Sequence, residues 1–308
     1  MGSGIMTETE SKRWQFLFTR RWWLPGWGEI SLSALWIALI SGIILIPAYH
    51  IDSEPFKAIS RFTTADSVGY FLHALHSYAG DLFLIALFMH TLEYLLKKTY
   101  RAYRPVSWLL LVLLLIGSVL TVFSGFLSLG SQESLSAMHI FKGILAELGS
   151  IGTTLNHFLT SQRADTRGLL TIFSHHVATF TVLTIILTYI HLRRLKSEWH
   201  ALVFTFTLLV VTALFLKPAI GLPPDSPVEV VKGPWYFLGL QEALSWLPVW
   251  LAGIVLPALF IGLLGLLPLC WKYDRSIFVA LTLLFLFYLA ETFISALLRG
   301  PGWQMLSR

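Results

Sequence analysis

The sequence predicts an all-α integral membrane protein with seven transmembrane helices, and three observations carry that prediction. Of 308 residues, 56% are hydrophobic and only 13% charged, with a mean hydropathy of +0.70; an ordinary soluble chain is about one-quarter charged. The apolar residues come in runs long enough to cross a hydrocarbon core, which takes about 20 residues. The basic residues gather in short connections on one side. With a net charge of +5 and a single cysteine, Cys270, the composition excludes disordered, disulfide-stapled and nucleic-acid-binding classes. It also excludes a four-cysteine zinc site or a cysteine-held iron–sulfur cluster.

Runs free of Asp, Glu, Lys and Arg cover residues 30–51, 105–132, 168–192 and 243–271. Residues 68–92 are broken only by Asp81, and 276–298 only by Glu291. The shortest run, 201–216, spans if His200 and Lys217 reach the interfaces. The first run lies too far in, and is too long, for a cleaved signal segment. Lys12, Arg13, Arg20, Arg21, Lys97, Lys98, Arg101, Arg104, Arg193, Arg194, Lys196, Lys272 and Arg275 share one face, thirteen of the 22 Lys and Arg. That asymmetry puts the N-terminus in the cytoplasm and the C-terminus in the periplasm of a bacterial inner membrane.

The opposite face carries the long loops 52–67, 131–167 and 218–242. Connections of that length usually have structure and a task. Apolar residues at Met138, Ile140, Phe141, Ile144, Leu145 and Leu148 predict a surface-lying amphipathic helix over 136–159. Residues 221–241 are rich in proline and end in aromatic side chains. Both are expected to pack on the outer face of the bundle. Trp22, Trp23, Trp27, Trp108, Trp199 and Trp271 flank cytoplasmic helix ends, as interfacial anchors do. His50, His139, His157 and His200 read as polar surface.

Four histidines have an informative spacing. His76 and His90 are 14 residues apart on the second span, and His176 and His191 are 15 apart on the fourth. At 100° per residue these separations return to within about 40° and 60° of the starting face, over rises of about 21 and 22.5 Å. Both spans run inward, so His76 lies level with His176 near the outer leaflet and His90 with His191 near the inner one. Facing imidazoles at two depths meet the requirement for bis-histidine ligation of two stacked haems. His73 and His175 fall about 100° and 160° off the common faces. Zinc is disfavoured because each pair lacks a third ligand. A haem-free transporter would put its broken helices near the prolines at 218–227, which lie outside the membrane.

These features resemble the cytochrome b family of quinol:cytochrome c and quinol:plastocyanin reductases. The second span, LHSYAGDLFLIALFMH, carries the family's 14-residue spacing, and the fourth, FSHHVATFTVLTIILTYIH, the 15-residue spacing of the b6 branch. Gly28 and Gly42 are fourteen apart, and TVFSGF puts Gly125 at a third family glycine, positions where the backbone must approach a porphyrin. The stretch GPWYFLGLQEALSWLP resembles the family's separate three-helix subunit. The resemblance implies a cytoplasmic segment 1–29, a dihaem four-helix bundle over 30–199, and a three-helix region over 200–308 that carries an outer quinone-pocket loop.

Departures from the family bear on function. The motif glutamate that takes a proton from quinol is Pro234 here; Glu242 and the intramembrane Asp81 are the candidate replacements. His73 and Glu93 occupy positions where the family has propionate-binding arginines, which leaves Lys97, Arg101 or Arg194 to compensate. A fourth family glycine is Leu111, and the turn after the third span reads Ser128–Leu129–Gly130. No cysteine precedes or lies in the first span, so no covalently bound third haem is expected. The resemblance implies two non-covalent b haems, a quinone or quinol substrate in a pocket lined by 125–132, 141–149 and 235–242, and an oxidoreductase complex. Its implied partners are an iron–sulfur protein or c-type cytochrome, membrane lipid and a second copy of the chain. The alternative is a dihaem membrane anchor and electron conduit that does not bifurcate quinol electrons.

Overall fold

The structure is a computed structural model that describes residues 24–49, 54–102, 104–160, 166–193, 195–227, 231–300 and 303. The regular elements among the described residues are all helices, and five of them are long and apolar enough to cross a membrane. Two shorter apolar helices, Trp199–Phe215 and Leu251–Leu266, accompany them.

Four units form the bundle. Helix α1 (Trp27–Leu45) starts at Gly26, whose N–H is taken by the Glu29 carboxylate at 2.8 Å, a negative charge where the helix dipole favours one. Helix α2 (Pro55–Ala65) lies in a stretch expected as loop, with Ala58, Ile59 and Thr63 buried. Helix α3 (Ser67–Leu96) is capped by Asp66, which accepts from Gly69 N at 2.7 Å. Helix α4 (Pro105–Ser128) begins on proline and is followed by Gly130 at φ +65°. The fourth unit is continuous but irregular: α7 (Thr166–Ser174), a π turn over His175–Phe180, then α8 (Thr181–Leu192). Helix α1 packs on α3, α3 on α4, and α4 along the α7–π–α8 unit.

Between them on the outer side stand α5 (Gln132–Ala146) and α6 (Gly149–Thr160). The single surface helix expected over 136–159 is therefore two, broken where Gly149 takes φ +62°. The span expected over 243–271 is likewise divided. Helix α10 (Leu238–Trp246) ends before Pro248, which has no N–H to continue it. A π turn, Leu251–Val255, then leads into α11 (Leu256–Leu266). Helix α12 (Asp274–Phe293) closes with a π turn over Ile294–Leu298.

The C-terminal helices pack on the bundle: α9 (Trp199–Phe215) against α1 and α3, and α11 against α4. A core of Phe83, Leu87, Leu111, Leu114, Leu264 and Leu281 joins them. Trp108, expected as an interfacial anchor, belongs to this core and donates to the Leu264 carbonyl at 2.7 Å. Its indole N–H finds a backbone acceptor inside the protein, which removes the cost of burying it. Trp27, Trp199 and Trp271 are exposed as expected; Trp22, Trp23 and His50 lie outside the described residues.

Candidate functional site

The two histidine pairs face each other across the bundle. Ring centroids of His76 and His176 are 6.2 Å apart, with planes at 83°; those of His90 and His191 are 6.5 Å apart at 88°. A metal–imidazole bond is about 2 Å, so an iron shared by two imidazoles puts their centres about 6 Å apart. Both separations meet that test. Among the described residues no group of three or more His, Cys, Asp or Glu could hold a metal ion.

The π turn explains the unequal spacings. A π turn takes one more residue than an α turn, so the extra residue between His176 and His191 is absorbed within His175–Phe180. Fifteen residues here have nearly the angular phase of fourteen on α3. The Thr181 hydroxyl donates to the His176 carbonyl at 2.5 Å, satisfying a backbone oxygen in that irregular stretch.

Backbone carbonyls orient the outer pair. His76 Nδ1 lies 3.0 Å from the Ala38 carbonyl and 3.4 Å from Ser41 Oγ; His176 Nδ1 lies 2.9 Å from the Thr121 carbonyl and 3.3 Å from Ser124 Oγ. An Nδ1–H donated to a carbonyl leaves the Nε2 lone pair free for a metal. The two arrangements match: a Ser–Gly doublet, with the accepting carbonyl four residues before the glycine. A Cβ on Gly42 would fall 2.8 Å from His76 Cε1, and one on Gly125 2.8 Å from His176 Cε1. These glycines make room for the imidazoles. Gly28 stands in the same relation to His90, at 3.0 Å.

The remaining position differs. Leu111 replaces the glycine, and the Ser107 carbonyl four residues earlier points toward His191 Nδ1 without a well-formed hydrogen bond. His90 instead lies against the Tyr94 ring, centroids 4.5 Å apart. The off-face histidines have other partners. His73 Nδ1 is 2.8 Å from the Thr63 hydroxyl, and His175 is bonded to the Phe158 carbonyl at 2.9 Å and to the Thr179 hydroxyl at 3.0 Å.

On the inner side, Lys97 forms an ion pair with Glu93, which neutralises the acid that departs from the family pattern. Arg101 pairs with Asp274 at the start of α12, and the Tyr100 hydroxyl joins them at 2.9 Å. Arg101 thus ties the connection after α3 to the start of α12. Arg194 lies outside the described residues.

The three segments expected to line an outer pocket do meet. Phe123, Leu127, Met138, Leu169 and Ile172 are buried together, with Phe126, Phe141, Tyr236 and Phe237 packed on them. The Trp235 indole donates to Asp81 Oδ1 at 2.9 Å, joining the Gly–Pro–Trp–Tyr loop to α3. The Tyr236 hydroxyl is buried without a hydrogen-bond partner, and burial pushes its ionisation up.

Glu242 is fully buried and gripped by a residue the sequence reading missed. The Arg299 Nε donates to its two oxygens at 3.1 and 2.9 Å, Nη2 at 2.5 Å, and the Trp246 indole at 2.8 Å. Burial alone would favour the neutral acid; the hydrogen bonds and charge of Arg299 outweigh it and hold the carboxyl below its usual range. Trp246 and Trp303 flank the guanidinium, at 5.5 and 5.9 Å from their ring centres.

Residues 81–201 match the family model for cytochrome b(N-terminal)/b6/petB. Over that stretch the chain is similar to cytochrome b. It is 26% identical to a cytochrome b of Cereibacter sphaeroides over 172 residues, 54% of this chain but 38% of that protein's length. It is 24% identical to a cytochrome b of Schizosaccharomyces octosporus over 275 residues, 79% of this chain and 71% of that protein. In fold it resembles a solved chain described as hyperthermophilic respiratory Complex III, with a TM-score of 0.65 at 16% identity, covering 94% of this chain and 97% of that one. The family model takes in Asp81, His90, His176 and His191; His76 lies just before its first matched residue.

Proposed function

We propose that this chain is the dihaem subunit of a quinol-oxidising membrane complex, with seven spans and its C-terminus on the periplasmic side. The observation that carries the reading is the pair of perpendicular imidazole couples, at 6.2 and 6.5 Å, on facing helices at two depths. His76 and His176 would hold an outer b haem, and His90 and His191 an inner one; such groups supply single-electron transfer across the bilayer. The chain's own residues orient the imidazoles through Ala38 and Thr121, exclude water with the buried core, and shape the outer pocket.

Quinol oxidation also needs proton acceptors at the pocket. Asp81 is the better placed of the two candidates because its Oδ1 meets the pocket loop through Trp235. Glu242 is committed to Arg299. Residues 30–199 would form the dihaem unit and 200–308 its pocket-completing extension. An iron–sulfur or c-type haem partner at the outer face would remove electrons.

The test is a reduced-minus-oxidised spectrum with haem quantitation on purified protein. Two haems are expected, and His76→Ala and His90→Ala should each remove one; a folded sample with no Soret band would sink the reading. Pro234, where the family motif has its carboxylate, favours the second reading of a membrane anchor and electron conduit. Haem reduction by quinol that ignores pocket-directed quinol analogues would select it.

A further inference from the structure

Quinol gives up two protons, and Asp81 stands on only one side of the pocket loop. The other side of that loop packs on α12, where the Tyr288 hydroxyl donates to the Tyr236 carbonyl. A Cβ on Gly239 would fall 2.6 Å from Thr292 Oγ1, so loop helix and span are in close contact there. From this contact outward, α12 and the π turn that closes it lead through three polar side chains that their apolar composition does not require: Glu291, Ser295 and, at the end of the turn, Arg299.

Two atoms on this line are buried without a partner, Glu291 Oε2 and Ser295 Oγ, and Ser295 is entirely enclosed. Unpaired buried polar groups are costly, and ionisable residues within a span are functional by default. In a regular α-helix Arg299 would drift about 80° from Glu291. The π turn over Ile294–Leu298 takes back much of that drift, so Arg299 meets Glu242 beside the same face. The charged groups facing Glu291 are Glu242 from α10 and Arg299 beyond the end of its own helix. Both carboxyls therefore lie in the field of one guanidinium. Glu242 takes the direct bonds, which leaves Glu291 as the carboxyl that can hold an exchangeable proton.

We propose that Glu291, Ser295 and the Glu242–Arg299 pair form a proton-transfer line from the outer quinol pocket to the periplasmic surface. The proposal rests on the quinol-oxidation reading. A quinol O–H breaks as an O–H forms on the Glu291 carboxylate; Ser295 then takes up that proton as it releases its own to water at the outer surface, and the Glu242–Arg299 pair stays ionised and positions the exit. No electrons move along the line.

Infrared difference spectra of the haem-loaded protein, recorded between acidic and neutral pH in H2O and D2O, read the site directly. A protonated-carboxyl C=O band that shifts in D2O and vanishes in Glu291→Gln is expected. In the same preparation Glu291→Gln should slow haem reduction by a short-chain benzoquinol by about 100-fold, the lower end for positioned proton transfer, with Glu291→Asp restoring most of it. Haem content and melting temperature establish that the variants are folded. A band that survives Glu291→Gln, or an unchanged rate and pH profile in that variant, overturns the proposal. Wild-type protein that quinol cannot reduce, yet shows the Glu291 band, would strike the quinol reading and leave the proton-holding site standing.

Discussion

The outer and inner halves of the bundle hold equivalent histidine pairs by different means. In the outer half each imidazole is fixed by a backbone carbonyl, a serine hydroxyl and a glycine whose missing Cβ makes room for the ring. In the inner half only His90 has its glycine, and His191 Nδ1 lacks a well-formed hydrogen bond. Ion pairs among the connections, Arg101–Asp274 and Lys97–Glu93, lie on that side instead. The outer site is over-determined by short-range hydrogen bonds that leave little slack, while the inner one depends more on core packing. A group bound in the outer half should therefore be more sensitive to small steric changes, and one in the inner half more tolerant.

The most disruptive substitution should be Gly125→Val or Gly42→Val. A Cβ there already falls 2.8 Å from an imidazole carbon, so the branched side chain must displace the ring. Loss of one haem with the other retained is the expected result by haem quantitation. Equal loss from both sites would break the distinction between the halves.

Arg299→Leu should rank next. Removing one partner of a buried ion pair typically costs about 3–5 kcal/mol, and here it strands the fully buried Glu242. Thermal unfolding followed through the Soret band measures it. The same pair predicts a pH dependence. Because the folded Glu242 carboxyl ionises below its usual range, its contribution is present above the unfolded-state value and disappears as pH falls through the folded-state one. Glu242→Gln should flatten that acid limb, and an unchanged limb would assign it to other carboxylates.

Leu111→Gly would sharpen the comparison, since it installs the missing fourth glycine. It removes a buried core side chain, so global stability should fall by about 3–5 kcal/mol. Inner-haem occupancy in the folded fraction should nonetheless be kept. The smallest effect should come from Ser124→Ala, which leaves the Thr121 carbonyl in place. A shift in the outer haem's midpoint potential without haem loss is expected, by redox titration.

Much of this was legible before any coordinates. The apolar runs marked the main helices because a membrane demands long uninterrupted stretches, and the spacings of His76, His90, His176 and His191 pointed to facing pairs because helical phase is nearly fixed per residue. The inequality of 14 and 15 residues was itself a signal of the π turn at His175–Phe180, and the repeated Ser–Gly doublets a signal of the hydroxyls beside His76 and His176. The breaks at Gly149 and Pro248 were visible as residues, but their effect depended on what followed them in space.

The sequence by itself therefore determined where the long apolar helices lie, which connections are basic, and that two histidine pairs lie at matched depths. All of these follow from local periodicity and from solvent preference. Only the tertiary structure decided that Arg299 closes on Glu242, that Trp235 reaches Asp81, that Trp108 is core, and that His191 lacks the tight seating of the other three. Those contacts join residues up to 156 positions apart, as Trp108 and Leu264 are. Such pairings are selected by which buried polar groups find one another once the helices have packed, and no local spacing encodes them.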